Sequence, residues 1–243
     1  YCSYRDEESR SAARAMGVRR RLGEAFPDLA FSLPTPEGQP ERPGHVVIGV
    51  MAYHGSPDDP HRGPHVQRTY VEHMAQLVTR LVDDGRTVAL VVGDVADHDL
   101  AVEIEERVRS ARPEVAPGRV SVSGADTMAG IMTEMAEAEV VVASRFHNLI
   151  CALMMSKPTV SLGYAGKNVR LMTEFGLDGF SQAVDSFDVD RLAGQIADVQ
   201  RVQPSVEALM KDTLHRFEDE LDDQFRRLFT ELLDSDHRRG RHD

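Results

Sequence analysis

The fold is decided by the stretch Val140-Val141-Val142-Ala143-Ser144-Arg145-Phe146-His147-Asn148-Leu149-Ile150. Its first four residues are small and apolar, which predicts a buried strand that ends at Ala143. The polar residues that follow, and the apolar ones after them, predict a helix that begins directly at the end of this strand. A strand without polar alternation is typical of a parallel sheet that is covered on both faces.

The same alternation of strand and helix extends in both directions from this stretch. We therefore predict an α/β fold with a doubly wound, Rossmann-like parallel sheet. In such sheets ligands bind beyond the carboxyl ends of the strands, so the loops after Met51, Val92, Ala143 and Leu162 are the candidate functional regions. The predicted strands are 46–51, 87–92, 119–123, 140–142 and 158–162, and the predicted helices are 66–84, 99–111, 126–138 and 146–155.

The flanking segments differ from this regular pattern. Residues 1–26 read as the end of a truncated N-terminal α/β domain, with a helix that Asp6 caps and that stops at Gly17. Residues 27–44 are a proline-rich linker, residues 45–203 form the Rossmann-like domain, and residues 204–243 are a long amphipathic C-terminal helix and tail. We expect that helix to pack back on its own domain, and an intermolecular coiled coil, which would give an oligomer, is the alternative.

Composition excludes several classes of protein. The chain of 243 residues has only two cysteines, so a core rather than disulfides must hold it, as expected in the cytoplasm. No apolar stretch reaches the ~20 residues of a membrane helix. The net charge of −12 argues against a general nucleic-acid-binding protein. The charged segment directly after Tyr1 is unlike a secretory signal, and we expect the chain to be a fragment or a processed product.

The turn after Ala143 has the features of an anion site. We expect Ser144 to cap the helix, while Arg145 and His147 lie at its first turn, where unpaired N–H groups and the helix dipole favour anions. Lys167 follows the next strand, and it faces the same crevice if the two strands are neighbours. The alternative is structural, because Ser-Arg pairs and single histidines at helix starts are common without any function.

Metal binding is not expected. His61 and His65 are four residues apart, as are some helical metal ligands, but Pro60, Gly63 and Pro64 disfavour a helix there. His54 and His73 have no partner at ligand spacing. Either Asp97 or Asp99, after the second strand, is interpreted as a helix cap rather than as a ligand.

The residues around these strands resemble those of the polysaccharide pyruvyl transferases. Ser144-Arg145-Phe146-His147 is similar to that family's Arg-x-His motif, and the later segments Lys157-Pro158-Thr159-Val160-Ser161-Leu162-Gly163-Tyr164 and Lys167-Asn168 are similar to its next strand and loop. Tyr4-Arg5-Asp6-Glu7-Glu8-Ser9 resembles the segment that ends its N-terminal domain. The resemblance covers about residues 1 to 180, and the complete N-terminal domain of the family, with its glycine-rich loop, is not within the chain.

The resemblance implies that the chain is the second half of a GT-B-like two-domain arrangement. It also implies a particular transfer reaction. Phosphoenolpyruvate would be the donor and co-substrate, with no other cofactor, and a sugar diol on a cell-surface polysaccharide or glycolipid would be the acceptor. The product would be a pyruvate ketal. The resemblance assigns catalysis to His147, as proton donor, with Arg145 and Lys167, and substrate binding to Arg5, Ser144, Tyr164 and Asn168.

Two other functions stay open. One is a glycosyltransferase of the same architecture that uses a nucleotide sugar; its retaining members usually carry two glutamates eight positions apart, whereas here Glu174 is followed at that distance by Gln182. The other is a fragment without catalytic activity that binds a glycan or a partner enzyme.

Overall fold

The computed structural model describes residues 1–18, 23–37, 39–53, 63–164 and 166–239, with side chains up to residue 231. The chain divides into two compact units. Residues 1–34 and 211–243 form the first unit, and residues 35–210 form the second.

The first unit contains the short helix α1 (Glu7–Ala15). Its cap is the predicted one, because Asp6 accepts a hydrogen bond from the Ser9 N–H at 2.6 Å. Leu29–Ser32, which we assigned to the linker, instead form a 3₁₀ helix. Phe31 in this turn is buried and packs edge-on against Phe217, at 4.8 Å between ring centroids, and this burial keeps the segment ordered.

The second unit is a six-stranded parallel sheet with helices on its faces. Its strands lie in the order β3-β2-β1-β4-β5-β6, and all five pairs are parallel. The predicted doubly wound, Rossmann-like fold is thereby confirmed. The strands are β1 (His45–Val50), β2 (Thr87–Val92), β3 (Val120–Val122), β4 (Val140–Ala143), β5 (Thr159–Gly163) and β6 (Ser181–Ala183).

Helices connect successive strands, as parallel pairing requires. Helix α2 packs against α3, and α4 packs against α5. The hydrophobic core lies between the helices and the sheet. Every residue of the two central strands, β1 and β4, is buried. The helices are α2 (Gly63–Asp83), α3 (His98–Ala111), α4 (Met128–Ala136), α5 (Phe146–Met154), α6 (Gly166–Glu174) and α7 (Val189–Arg239).

Two helix starts differ from the prediction. Helix α4 is capped by Thr127, whose hydroxyl accepts the Gly130 N–H at 3.1 Å, and not by Asp126. Helix α7 begins at Val189 rather than at residue 204, and it continues through Pro204. Proline usually interrupts a helix. Here the apolar stripe of α7 already begins on the N-terminal side of Pro204, with the buried residues Leu192 and Ile196, so burial favours one continuous helix. No helix among the described residues combines the length and apolar composition needed to cross a membrane.

A partly buried polar cluster lies at the beginning of β1, and His45 is its one fully buried member among the residues named here. The His45 ring is within 2.9 Å of the Thr87 hydroxyl through Nδ1, and its Nε2 lies 3.8 Å from Glu134 of α4. Glu134 also accepts a hydrogen bond from the Ser123 hydroxyl at 3.0 Å. The His45 ring, with a smaller effect of Ser123, lowers the pKa of Glu134 below its ordinary value of 4.5.

Because a depressed carboxyl pKa stabilises the fold only while the group is ionised, Glu134 contributes stability at neutral pH that is lost as the pH falls below 4.5. We expect Glu134→Gln to lower the free energy of unfolding by about 1 kcal/mol at pH 7, and by less at acidic pH. Urea denaturation at pH 7 and at pH 4 measures this. Glu106→Gln, on the exposed surface of α3, is the control. An equal loss at both pH values for Glu134→Gln would contradict this account.

Candidate active site

The order in which the strands follow one another across the sheet reverses between β1 and β4. From these two neighbouring strands the chain runs outward to both edges. Doubly wound sheets bind their ligands at the carboxyl end of such a switch point, and we call this end of the sheet the crevice. The loops after β1, β2, β4 and β5 border this end. Strands β4 and β5 are paired, so the loops that carry Arg145 and Lys167 are neighbours, as expected.

Ser144 lies beneath the crevice rather than in it. Its side chain is fully buried, its N–H donates to the Gly49 carbonyl at 3.0 Å, and its hydroxyl lies 3.1 Å from the Tyr70 hydroxyl. Tyr70 also accepts the Met51 N–H, and burial raises the pKa of Tyr70 to about 12. The predicted cap is wrong: Arg145 occupies the N-cap position of α5, and Ser144 instead joins the loop after β4 to α2.

Arg145 is held by a buried carboxylate. Its Nε donates to Oδ2 of Asp97 at 2.8 Å, and its Nη2 donates to Oδ1 at 2.6 Å. Oδ1 of Asp97 also accepts the Ala52 N–H at 2.8 Å. These hydrogen bonds raise the pKa of Arg145. Asp97 occupies the N-cap position of α3, as interpreted from the sequence, but its side chain makes no capping hydrogen bond there and binds Arg145 instead.

Two glycines make room for the side chains at the crevice. A Cβ atom on Gly49 would lie 2.6 Å from Nδ2 of Asn148, and one on Gly93 would lie 2.8 Å from Oδ1 of the same amide. The Gly93 position is also only 3.2 Å from Cγ of Arg145. Asn148 is buried in the first turn of α5. Any larger residue at position 49 or 93 would displace these side chains.

The remaining predicted catalytic residues gather around Phe146. The Lys167 ammonium lies 4.2 Å from the centroid of the Phe146 ring and 5.9 Å from that of Tyr164, which is cation–π geometry. The ring of His147 is 6.0 Å from that of Phe146, and His147 is exposed. The structure thus brings Lys167 close to the Arg-x-His turn.

Tyr164 forms an open aromatic surface with Tyr53, the third residue after β1. The two ring centroids are 5.9 Å apart, and Tyr164 is 49% exposed. Partial burial raises the pKa of Tyr53, with smaller contributions from Asp185 and from Tyr164. Tyr164 also makes a small contribution to the raised pKa of Arg145, after the larger effect of the hydrogen bonds to Asp97.

Asn168 and Arg5 occupy different surroundings. Asn168 is fully buried against Gly163, and neither polar atom of its amide has a hydrogen-bond partner among the described residues. Arg5 belongs to the first unit, where its guanidinium lies 3.8 Å from the carboxylates of both Asp6 and Asp28. Substrate binding by either residue stays a prediction.

Asp97 and Tyr53 are the residues at the crevice that our sequence reasoning missed. Each follows the carboxyl end of a strand, which is a usable signal. Asp97 was interpreted as a cap because an acidic residue before a helix is most often one. His54 and His61 lie outside the described residues. Within the described part of the chain, no group of three histidine, cysteine or acidic side chains could hold a metal ion.

Gln182 occupies the position at which a glycosyltransferase of the retaining type would carry its second glutamate. Its amide oxygen accepts the Asp188 N–H at 2.9 Å, and its amide nitrogen donates to Gln195 at 2.7 Å. The side chain therefore connects β6 to the beginning of α7.

The fold and the crevice at its strand ends are those of one half of a GT-B-like transferase. A family profile described as polysaccharide pyruvyl transferase matches residues 1–166, more than half of the chain. The chain therefore belongs to the polysaccharide pyruvyl transferase family. The matched range includes Arg5, Arg145, His147 and Tyr164, and it ends one residue before Lys167. No curated protein sequence matches the chain significantly.

Solved structures of glycosyltransferases share the fold. The pneumococcal O-GlcNAc transferase GtfA is 11% identical, with a TM-score of 0.54 over 96% of this chain and 44% of its own. TarM of S. aureus is 13% identical, with a TM-score of 0.53 over 92% and 43%. The trehalose-phosphate synthase of Burkholderia vietnamiensis is 10% identical, with a TM-score of 0.55 over 96% and 61%. The chain thus spans about half the length of these proteins, and the likeness concerns the fold alone.

We expect Gly93→Ala to destabilise the second unit by about 1–3 kcal/mol, because the added methyl group overlaps Asn148 and presses on Arg145. Gly124→Ala is the matched control, since a Cβ at that position meets nothing within 4 Å. Urea denaturation of both variants measures the free energy of unfolding. If the two variants were equally stable, the close packing at Gly93 would be refuted.

Proposed function

We propose that the protein transfers a pyruvyl group from phosphoenolpyruvate to two hydroxyls of a sugar, forming a cyclic ketal and releasing inorganic phosphate. The observation that carries the proposal is the family membership together with Arg145, His147 and Lys167 gathered at the carboxyl ends of β4 and β5. The acceptor belongs to a cell-surface polysaccharide or glycolipid, and the reaction takes place in the cytoplasm, where phosphoenolpyruvate is present.

The charges at the crevice suit this donor. Phosphoenolpyruvate carries a carboxylate and a phosphate, and Arg145 and Lys167 each supply a full positive charge. Arg145 makes no side-chain cap at the N-terminus of α5, so the partial positive charge of that helix end adds to theirs. Part of the Arg145 charge is balanced by Asp97, and we assign the phosphate of the donor to Lys167.

His147 is suited to the proton transfer. In the proposed reaction its imidazolium gives a proton to the methylene carbon of phosphoenolpyruvate, and the central carbon becomes an oxocarbenium ion. A sugar hydroxyl attacks that carbon and returns its proton to the imidazole. The second hydroxyl then displaces phosphate, which leaves with the remaining proton, so that atoms and charges balance. The exposed position of His147 in the first turn of α5 supports this assignment.

Tyr164 and Tyr53 are proposed to receive the acceptor. The C–H face of a pyranose ring is apolar and packs on aromatic rings, whereas its hydroxyls require polar partners. The half-exposed ring of Tyr164 lies 5.9 Å from the Lys167 ammonium, so a sugar stacked there would lie beside a donor held by that lysine. The exposed carboxylate of Asp185, which also accepts a hydrogen bond from the Ser186 hydroxyl, is proposed to accept one from a sugar hydroxyl.

Phosphate release by the full-length protein tests the proposal. We expect release from phosphoenolpyruvate only when a glycan with a free diol is added, because the reaction is a transfer and not a hydrolysis. A nucleotide sugar in place of phosphoenolpyruvate is the comparison. Sugar transfer from the nucleotide sugar would establish the glycosyltransferase alternative. If calorimetry showed glycan binding but neither phosphoenolpyruvate nor the nucleotide sugar were turned over, the protein would be a glycan-binding protein without catalytic activity.

The roles of His147 and Lys167 are separable by substitution. We expect His147→Gln to retain donor affinity and to lower single-turnover rates by ~100-fold or more, the scale of one general acid. Lys167→Met should instead weaken donor binding by about tenfold, and by less at high salt, because it removes a charge but keeps the aliphatic stem.

Donor titration beside single-turnover kinetics on the full-length protein measures both effects. His215→Gln and Lys211→Met make the same chemical changes at exposed positions of α7 and serve as controls. Normal turnover by His147→Gln would remove it from the chemistry. Unchanged donor affinity in Lys167→Met would show that this lysine does not contact the donor.

A further inference from the structure

The ion pair between Asp97 and Arg145 uses only one edge of the guanidinium. Nε and Nη2 donate to the carboxylate, while the opposite edge, formed by Nη1 and the second N–H of Nη2, does not take part in this pair. Arg145 remains 29% exposed although Asp97 is completely buried. The guanidinium thus spans from the interior to the crevice.

A second carboxylate lies near the outer edge. Oδ2 of Asp94 is 3.9 Å from Nη1 of Arg145, which is beyond hydrogen-bond distance, and the Asp94 side chain is 53% exposed. Its other oxygen, Oδ1, accepts the Ala96 N–H at 3.0 Å. Asp94 and Asp97 are therefore both near the same cation, but one is buried and bonded whereas the other is exposed and at a distance.

We propose that Asp97 is a positioning residue, which fixes Arg145 so that its outer edge receives an anionic group of the donor, and that Asp94 competes with that group for the same edge. The identity of the anion rests on the proposed function. An unrestrained arginine would lose side-chain freedom when it bound an anion, and Asp97 has already imposed that restriction. The hydrogen bond from the Ala52 N–H to Asp97 and the close packing of Arg145 against Gly93 hold the pair in place as well.

This inference makes a prediction that simple electrostatics does not. Removing either negative charge should strengthen anion binding if only the total charge near Arg145 matters. If Asp97 positions Arg145, the two substitutions should instead change the affinity for the donor in opposite directions. Asp97→Asn should weaken phosphoenolpyruvate binding by about tenfold or more, the scale on which residues that orient a binding group act elsewhere. Asp94→Asn should strengthen it by about two- to fivefold, as expected for one exposed charge, and the amide oxygen can still accept the Ala96 N–H.

Calorimetric titration of the full-length protein with phosphoenolpyruvate measures both affinities, and urea denaturation checks that each variant is folded. Asp97→Glu is the second variant, because it keeps the charge and moves the carboxylate; we expect it to weaken binding as well. If Asp97→Asn bound the donor as tightly as the wild-type chain or more tightly, the inference would be overturned. Weaker binding by Asp94→Asn would overturn the competition.

Nitrogen-15 NMR of the Arg145 Nε–H separates this inference from the proposed function. We expect that proton to exchange slowly with water in the wild-type chain and rapidly in Asp97→Asn and Asp97→Glu. If the full-length wild-type protein bound no phosphoenolpyruvate, the donor assignment would fail, while slow exchange would still support the positioning of Arg145. Rapid exchange in the wild-type chain would refute that positioning.

Discussion

The buried carboxylate of Asp97 must be matched by a positive charge, and Arg145 is the group that supplies it. Removing an ion from water costs several kcal/mol, so the carboxylate stays inside the fold only while the guanidinium remains bound to it. Through Ala52, Asp97 and Arg145 this pair joins the loops after β1, β2 and β4. The shape of the crevice therefore depends on one bidentate interaction.

The two cations of the site are held in different ways, and this divides their work. Arg145 is fixed in direction by hydrogen bonds, which suits recognition of a planar carboxylate or of a phosphate. Lys167 lies over the Phe146 ring, and its compact ammonium suits attraction of a phosphate. His147 lies next to that ring and is the proton donor in the reaction that we propose. The donor chemistry that we propose needs all three properties.

Local pattern predicted the fold well because each central strand is a continuous apolar run and each helix has its own apolar stripe. The cap at Asp6 could also be predicted, since its partner is only three residues away. The pair between Asp97 and Arg145 could not, because 48 residues separate them and only the strand order β2-β1-β4 brings them together. Thr127 and Asp126 are both good caps, and backbone geometry decides between them. Pro204 suggested that the helix begins there, but the buried apolar residues of α7 extend the helix to the N-terminal side of this proline.

A crystal structure of the full-length protein with phosphoenolpyruvate tests the account most directly. It should show the donor at the carboxyl ends of β4 and β5, with one anionic group on the outer edge of Arg145 and the phosphate within reach of Lys167. The bonds between Arg145 and Asp97 should be unchanged, and His147 should face the methylene carbon. A donor bound elsewhere, or bound only after Arg145 had left Asp97, would contradict the account.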